Sequence, residues 1–292
     1  MTSGRGGQVP SREHLPSLVS TAWLAAELET PHLRILDATY YLPTERRDAR
    51  ALFCAAHLPG AQFFDIDCIA DQQSTLPHMA PTVTQFEQCA STLGIGNADR
   101  VVFYDQRGLY SAARGWWLLR LFGHDRVAVL DGGLPKWRRE GRALLQGTPS
   151  PPPRAQFQAV YRPQLVRSAA QLLANLLNRN ELVLDARSRE RFLAQSLEPR
   201  AGVRGGHIPH SLSLPHGELL TADGTLLEPA ALRQRFAQLG IDSNSRVVTS
   251  CGSGVTAAVI SLALSVAGLP CGALYDGSWA EWGSRQDTPI EV

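Results

Sequence analysis

Residues Val247-Val248-Thr249-Ser250-Cys251-Gly252-Ser253-Gly254-Val255-Thr256 set one thiol between an apolar run and a helical pattern, with glycines at the second and fourth loop positions. Glycines there permit positive φ and a concave turn whose N–H groups can point inward, and a helix N-terminus adds partial positive charge. Both effects favour an anion. A thiolate would be stabilised as a nucleophile, and so would an anionic adduct carried on its sulfur. The competing reading is a buried, inert cysteine.

Two other cysteine chemistries fit poorly. A Cys-x5-Arg phosphate loop needs arginine at 257, where Ala257 stands, so no guanidinium in the loop can offset a phosphate dianion. Papain-like proteolysis needs its own local signature around the cysteine, and none is present. The five cysteines, Cys54, Cys68, Cys89, Cys251 and Cys271, are odd in number and never spaced Cys-x-x-Cys. Neither a disulfide framework nor a zinc or other metal site is expected, and a reducing, cytoplasmic setting is. The 28 Lys and Arg against 27 Asp and Glu give a net charge of +1, and Lys136 is the only lysine. No basic patch calls for nucleic acid or anionic lipid. No apolar run reaches the roughly 18 residues of a membrane helix, because residues 256–269 are short and interrupted by serines.

These residues need a scaffold, and 292 residues suggest about two domains. Sliding the chain against itself gives ordered matches at offsets of 145 to 150 residues: Leu36-Asp37-Ala38 with Leu184-Asp185-Ala186, His57 and Pro59 with His207 and Pro209, Arg100-Val101-Val102 with Arg246-Val247-Val248, and Asp131-Gly132 with Asp276-Gly277. Two copies of one domain are implied. Residues 1–17 read as a disordered tail, 18–147 as the copy lacking the cysteine, 148–164 as a stiff proline-rich linker and 165–292 as the catalytic copy. Short apolar runs at 33–37, 101–104, 127–130, 182–185 and 247–250 read as buried strands. After Cys251, Val255, Val259, Leu262 and Val266 draw one apolar stripe along a helix ending at Gly268. Each copy is therefore expected to be an open α/β domain with a mainly parallel sheet flanked by helices, its site at the carboxyl ends of the strands. At an offset of 146, Cys251 corresponds to Asp105, so only the second copy has the thiol.

The loop Cys251-Gly252-Ser253-Gly254-Val255-Thr256, the paired His-x-Pro elements and Asp276-Gly277-Ser278-Trp279 resemble the rhodanese superfamily, and the resemblance runs from about Leu18 to Trp282. It implies two tandem rhodanese-like domains and a sulfurtransferase without a cofactor. The cysteine thiolate takes sulfur from a small-molecule donor, holds it as a persulfide and passes it to a thiol acceptor, such as thioredoxin or a low-molecular-weight thiol, or to cyanide. Thiosulfate-using members carry basic residues after the cysteine, whereas Gly252 and Ser253 are neutral and resemble the form that uses 3-mercaptopyruvate and releases pyruvate. The resemblance assigns donor binding to Arg191 and Arg200 and to loop residues Gly252, Gly254, Val255 and Thr256. It also places a tyrosine near the site at Tyr110, and it assigns proton handling to Ser253, His78 and Asp67.

Asp67 and His78 have no counterpart in the second copy, where Gly217 and Glu228 stand at the matching offset, which favours function over fold. By the same logic His57 and His207, present in both copies, read as structural. Asp37, Asp185, Asp131 and Asp276 recur at strand ends and read as turn or capping residues, and Trp116 and Trp117 as core. His210 stands where the family usually has glycine after the second His-x-Pro. The alternatives are a thiosulfate-using enzyme of the same family and a non-enzymatic sulfur-relay module loaded by a partner.

Overall fold

A computed structural model describes residues 15–292. The first copy contains strands β1 (Leu18–Val19), β2 (Leu33–Asp37), β3 (Ala61–Phe63), β4 (Arg100–Tyr104) and β5 (Val127–Leu130). Its helices are α1 (Thr21–Glu27), α2 (Ala49–Ala55), α3 (Ile66–Ile69), α4 (Val83–Thr92), α5 (Ala112–Leu121) and α6 (Gly133–Arg139). The second copy contains β6 (Val166–Arg167), β7 (Leu182–Asp185), β8 (Leu212–Ser213), β9 (Val247–Ser250) and β10 (Ala273–Tyr275). Its helices are α7 (Ala169–Asn178), α8 (Arg189–Phe192), α9 (Pro229–Ala237), α10 (Ala257–Val266) and α11 (Ser278–Trp282).

Each copy is a five-stranded, wholly parallel sheet. The orders β1-β5-β4-β2-β3 and β6-β10-β9-β7-β8 are the same order repeated. Helices cover both faces, which is why the interior strands β5 and β9 are buried along their whole length without alternation. Helix starts follow local chemistry: Thr82 with Gln85 and Ser168 with Gln171 form capping boxes, and Asp65 caps α3.

Three expectations change. Residues 1–14 of the expected tail lie outside the described residues, but Leu15 is buried and the Ser17 carbonyl accepts from the Val129 N–H, because β1 adds to the sheet edge beside β5. The segment after Pro153 does not simply span: Phe157 packs against Phe86, and the Val160 and Arg162 N–H groups bond Phe122 and Leu121, strapping it to the first copy. Helix α10 buries more than a stripe. Every residue from Ala257 to Leu264 is buried, because α10 lies between its own sheet and α5 of the other copy, and one core cluster runs through both. Gly268, in the left-handed region at φ +74°, follows its last turn.

Asp37 and Asp185 hold equivalent places but different company. Asp185 pairs with Arg187, whereas Asp37 accepts from the neutral donors Thr39 and Gln106. Burial pushes the Asp37 carboxyl up to about 6.

Candidate active site

Strand β9 delivers Cys251 to the carboxyl edge of the second sheet, with its side chain almost fully buried. The loop after it is clamped from behind by Ser278. The Ser278 Oγ accepts from the N–H groups of Cys251 (3.2 Å) and Gly254 (3.1 Å) and donates to the Tyr275 carbonyl (2.8 Å). The Cys251 and Gly252 carbonyls accept from Trp279 and Ala280 at the start of α11, each at 2.9 Å. Gly254 is required twice over: φ is +76°, and a Cβ there would stand 2.9 Å from Arg114 Nη1 and 3.1 Å from the Asp276 carbonyl oxygen.

The first copy displays what this loop type does with an anion. Asp105, fully buried, occupies the position of the cysteine, and its Oδ2 accepts from the N–H groups of Tyr110 (2.8 Å), Ser111 (2.8 Å) and Ala112 (2.9 Å). Its Oδ1 accepts from Arg107 N–H at 2.9 Å. A converging set of backbone donors around negative charge is a nest in the physical sense.

Residues of the first copy reach across to the cysteine loop. Ser253 Oγ lies 2.9 Å from His78 Nδ1, and His78 Nε2 lies 3.0 Å from Asp67 Oδ1. With the Nε2 proton on the Asp67 side, Nδ1 accepts from the serine hydroxyl. His78 and Ser253 are buried while the Asp67 carboxyl is exposed. Arg200 Nη2 donates to the same Ser253 Oγ at 3.4 Å.

The His78 segment is held by two residues that the sequence did not single out for function. Arg114, on α5 and wholly buried, donates to the His78 carbonyl (2.5 Å) and the Gly254 carbonyl (3.2 Å). Its Nη2 also lies 2.8 Å from Asp276 Oδ1, an ionic contact without a directed hydrogen bond. Asp276 Oδ2 accepts from Ala80 N–H at 2.6 Å. Asp276 is therefore not a turn cap as its place at a strand end suggested, but the acid of an ion pair between the copies. Tyr40, also unforeseen, packs edge-on against His78 with centroids 4.6 Å apart. Burial pushes its phenol up to about 12, with the Arg200 charge acting the other way.

Arg191, on α8, lies against the loop: a Cβ on Gly252 would be 3.1 Å from its Nη2. Its guanidinium is paired with Glu198, which Arg187 also contacts. Tyr110 sits under Arg107 and meets His216 edge-on. Burial pushes its phenol up, and Cys251 and Arg191 are among the charges acting on it. Val255 belongs to the hydrophobic core and Thr256 is largely buried at the start of α10. His57 and His207 are buried, stacked on Phe53 and Phe192, with Nδ1 bonded to the carbonyls of those same residues. His210 adopts φ +64°, the conformation for which glycine is usual.

A cavity of about 820 Å³ opens elsewhere between the copies, lined by Trp116, Arg120, Arg162, Glu228 and Ser265 among others, and no candidate site residue borders it. Among the described residues no group of three or more His, Cys, Asp or Glu could hold a metal, and no helix is long and apolar enough to cross a membrane.

The rhodanese-like domain family matches residues 20–140 and again 168–285. The 3-mercaptopyruvate sulfurtransferase of Homo sapiens is 41% identical over 275 residues, covering 92% of each chain. A mitochondrial thiosulfate/3-mercaptopyruvate sulfurtransferase of Arabidopsis thaliana is 40% identical over 296 residues, covering 94% of this chain and 78% of its own. The crystal structure of SseA from Escherichia coli, a 3-mercaptopyruvate sulfotransferase, superposes with a TM-score of 0.82 at 35% identity, covering 90% of this chain and 99% of that one.

Proposed function

The chain belongs to the rhodanese family, and from that premise we propose that it is a sulfurtransferase that takes sulfur from 3-mercaptopyruvate through a Cys251 persulfide. The observation that carries the donor assignment is the Asp67–His78–Ser253 chain, which meets a neutral loop beside the thiol. The Cys251 thiolate attacks the donor sulfur, and an S–S bond forms as the donor C–S bond breaks. The bond electrons enter the enolate of pyruvate, and the proton first carried by the donor thiol ends on the methyl carbon. Ser253, whose hydroxyl donates to His78 Nδ1, can take up the donor-thiol proton as it passes its own to the histidine. The Arg200 guanidinium beside it is the donor available to the developing enolate oxygen. Asp67 holds the histidine tautomer that leaves Nδ1 free to accept. Backbone N–H groups equivalent to those around Asp105 hold the charge of the persulfide. An acceptor thiol, of a protein such as thioredoxin or of a small molecule, or cyanide then attacks the outer sulfur and returns Cys251 as thiolate. A reducing setting, such as the cytoplasm, fits the five cysteines standing unpaired.

The test is the intact mass of the reduced protein after brief exposure to 3-mercaptopyruvate alone. One added sulfur, mapped to Cys251, with pyruvate released, is expected; an unmodified Cys251 in folded protein would overturn the assignment. A thiosulfate preference is the second reading, favoured by the relative whose name carries both donors. It predicts a higher kcat/KM for thiosulfate than for mercaptopyruvate.

Two sets of variants examine the roles. Arg191→Ala and Arg200→Ala each remove a charge-assisted contact worth about 1.5–3 kcal/mol, so kcat/KM for mercaptopyruvate falls roughly 10- to 100-fold. A loss under about threefold would contradict carboxylate binding. His78→Gln and Asp67→Asn slow single-turnover persulfide formation by about 10²-fold with the melting temperature little changed; an unaltered single-turnover rate makes these residues structural.

A further inference from the structure

Arg191 does not face the cysteine loop as a free cation. Its Nε (3.3 Å) and Nη2 (2.5 Å) both donate to Glu198, which occupies one of the two bidentate edges of the guanidinium. Nη1 donates to no protein acceptor among the described residues, so the other edge, Nη1 with the second Nη2 proton, remains for a ligand. Glu198 is itself fixed. Its side chain is buried, its Oε1 also accepts from Arg187 Nη1 at 2.8 Å, and Arg187 is locked on Asp185 and the Gly206 carbonyl. Pro199 alone separates Glu198 from Arg200, which reaches Ser253.

This arrangement sets a charge count as well as a direction. Of the three guanidiniums, Arg187 is matched by Asp185 and Arg191 by Glu198, which leaves Arg200 the one of the three without a carboxylate partner among the described residues. A 3-mercaptopyruvate ion brings one carboxylate, whereas thiosulfate brings two negative charges. We infer that Glu198 is the residue that makes the site selective for a monoanionic keto-acid donor, by aiming the free edge of Arg191 and cancelling its excess charge. Glu198 acts through Arg191 and touches no reacting atom, so it is a positioning residue. Discrimination then comes partly from a built-in repulsive element, a buried carboxylate held near the place where a second donor charge would sit. The inference rests on the proposed mercaptopyruvate reading and names what enforces it.

Glu198→Gln removes the charge and keeps the shape, and Glu198→Asp keeps the charge and shortens the reach. For Glu198→Gln the ratio of kcat/KM for thiosulfate to that for mercaptopyruvate should rise at least about tenfold. For Glu198→Asp that ratio should stay within about threefold of the parent while both activities fall. Parallel loss of both donors in Glu198→Gln, or an equal shift of the ratio in both variants, overturns the inference, since a merely structural glutamate would not move a ratio. If Glu198→Gln does not fold, the unmutated protein decides. Pyruvate should block loading by 3-mercaptopyruvate at lower concentration than sulfate does, and the reverse order overturns the inference. Failure of the underlying reading looks different: Cys251 in the unmutated protein would gain no sulfur from 3-mercaptopyruvate at all.

Discussion

Cys251→Ser is expected to lower sulfur transfer by at least about 10⁴-fold, because removing the atom that forms the covalent intermediate leaves only binding and polarisation. The effect should be confined to chemistry. The side chain is nearly isosteric, and the loop is held through backbone groups by Ser278, Trp279 and Ala280 and not through the thiol. The fold cost should stay below about 1.5 kcal/mol. Single-turnover mass analysis with a thermal melt separates the two quantities. Transfer retained at more than one part in a hundred would mean that another cysteine carries the sulfur, and Cys68, exposed on α3 beside Asp67, would be the next to examine.

Arg114→Met is expected to be the most destabilising substitution in the site, at about 3–5 kcal/mol. It leaves the buried Asp276 carboxylate without its cation and removes the donor to both the His78 and Gly254 carbonyls. For a chain of this size the melting temperature should fall on the order of 10 °C. Arg114→Lys retains the charge but cannot span three acceptors, so it should recover part of the loss. The double variant Arg114→Met with Asp276→Leu should be more stable than Arg114→Met alone, because no unpaired charge is left in the interior. A single-variant cost under 1 kcal/mol, read from denaturant unfolding, would show that water replaces the guanidinium.

Much of this was legible in the residues because it is local. The duplication shows in repeated strand and turn residues, and the parallel sheets follow from apolar runs alternating with helical spacing. The cysteine loop announces itself through glycines whose φ values it needs. What stayed hidden depends on how the copies meet. Arg114 lies in a helix that reads as core, and Asp276 at a strand end that reads as a turn; their pairing exists only because α5 packs on α10. For the same reason the apolar stripe on α10 understated its burial. Asp67 and His78 stood out by occurring in one copy only, while Glu198 gave no signal, since a glutamate two residues before Arg200 and seven after Arg191 looks like any solvated surface charge.

The carboxylate of Asp105, seated among backbone donors where the other copy has its sulfur, bears on the history of the chain. A duplicated site that loses its nucleophile leaves a ring of donors with nothing to bind, and such a ring is a liability until something negative fills it. Asp105 fills it permanently, so the first copy needs no cargo to be complete. Freed from turnover, that copy could take on Asp67 and His78 and lend them to its twin. A second half cut loose would keep Cys251 but lose the Asp67–His78 contact to Ser253, and a first half alone would have no thiol at that loop.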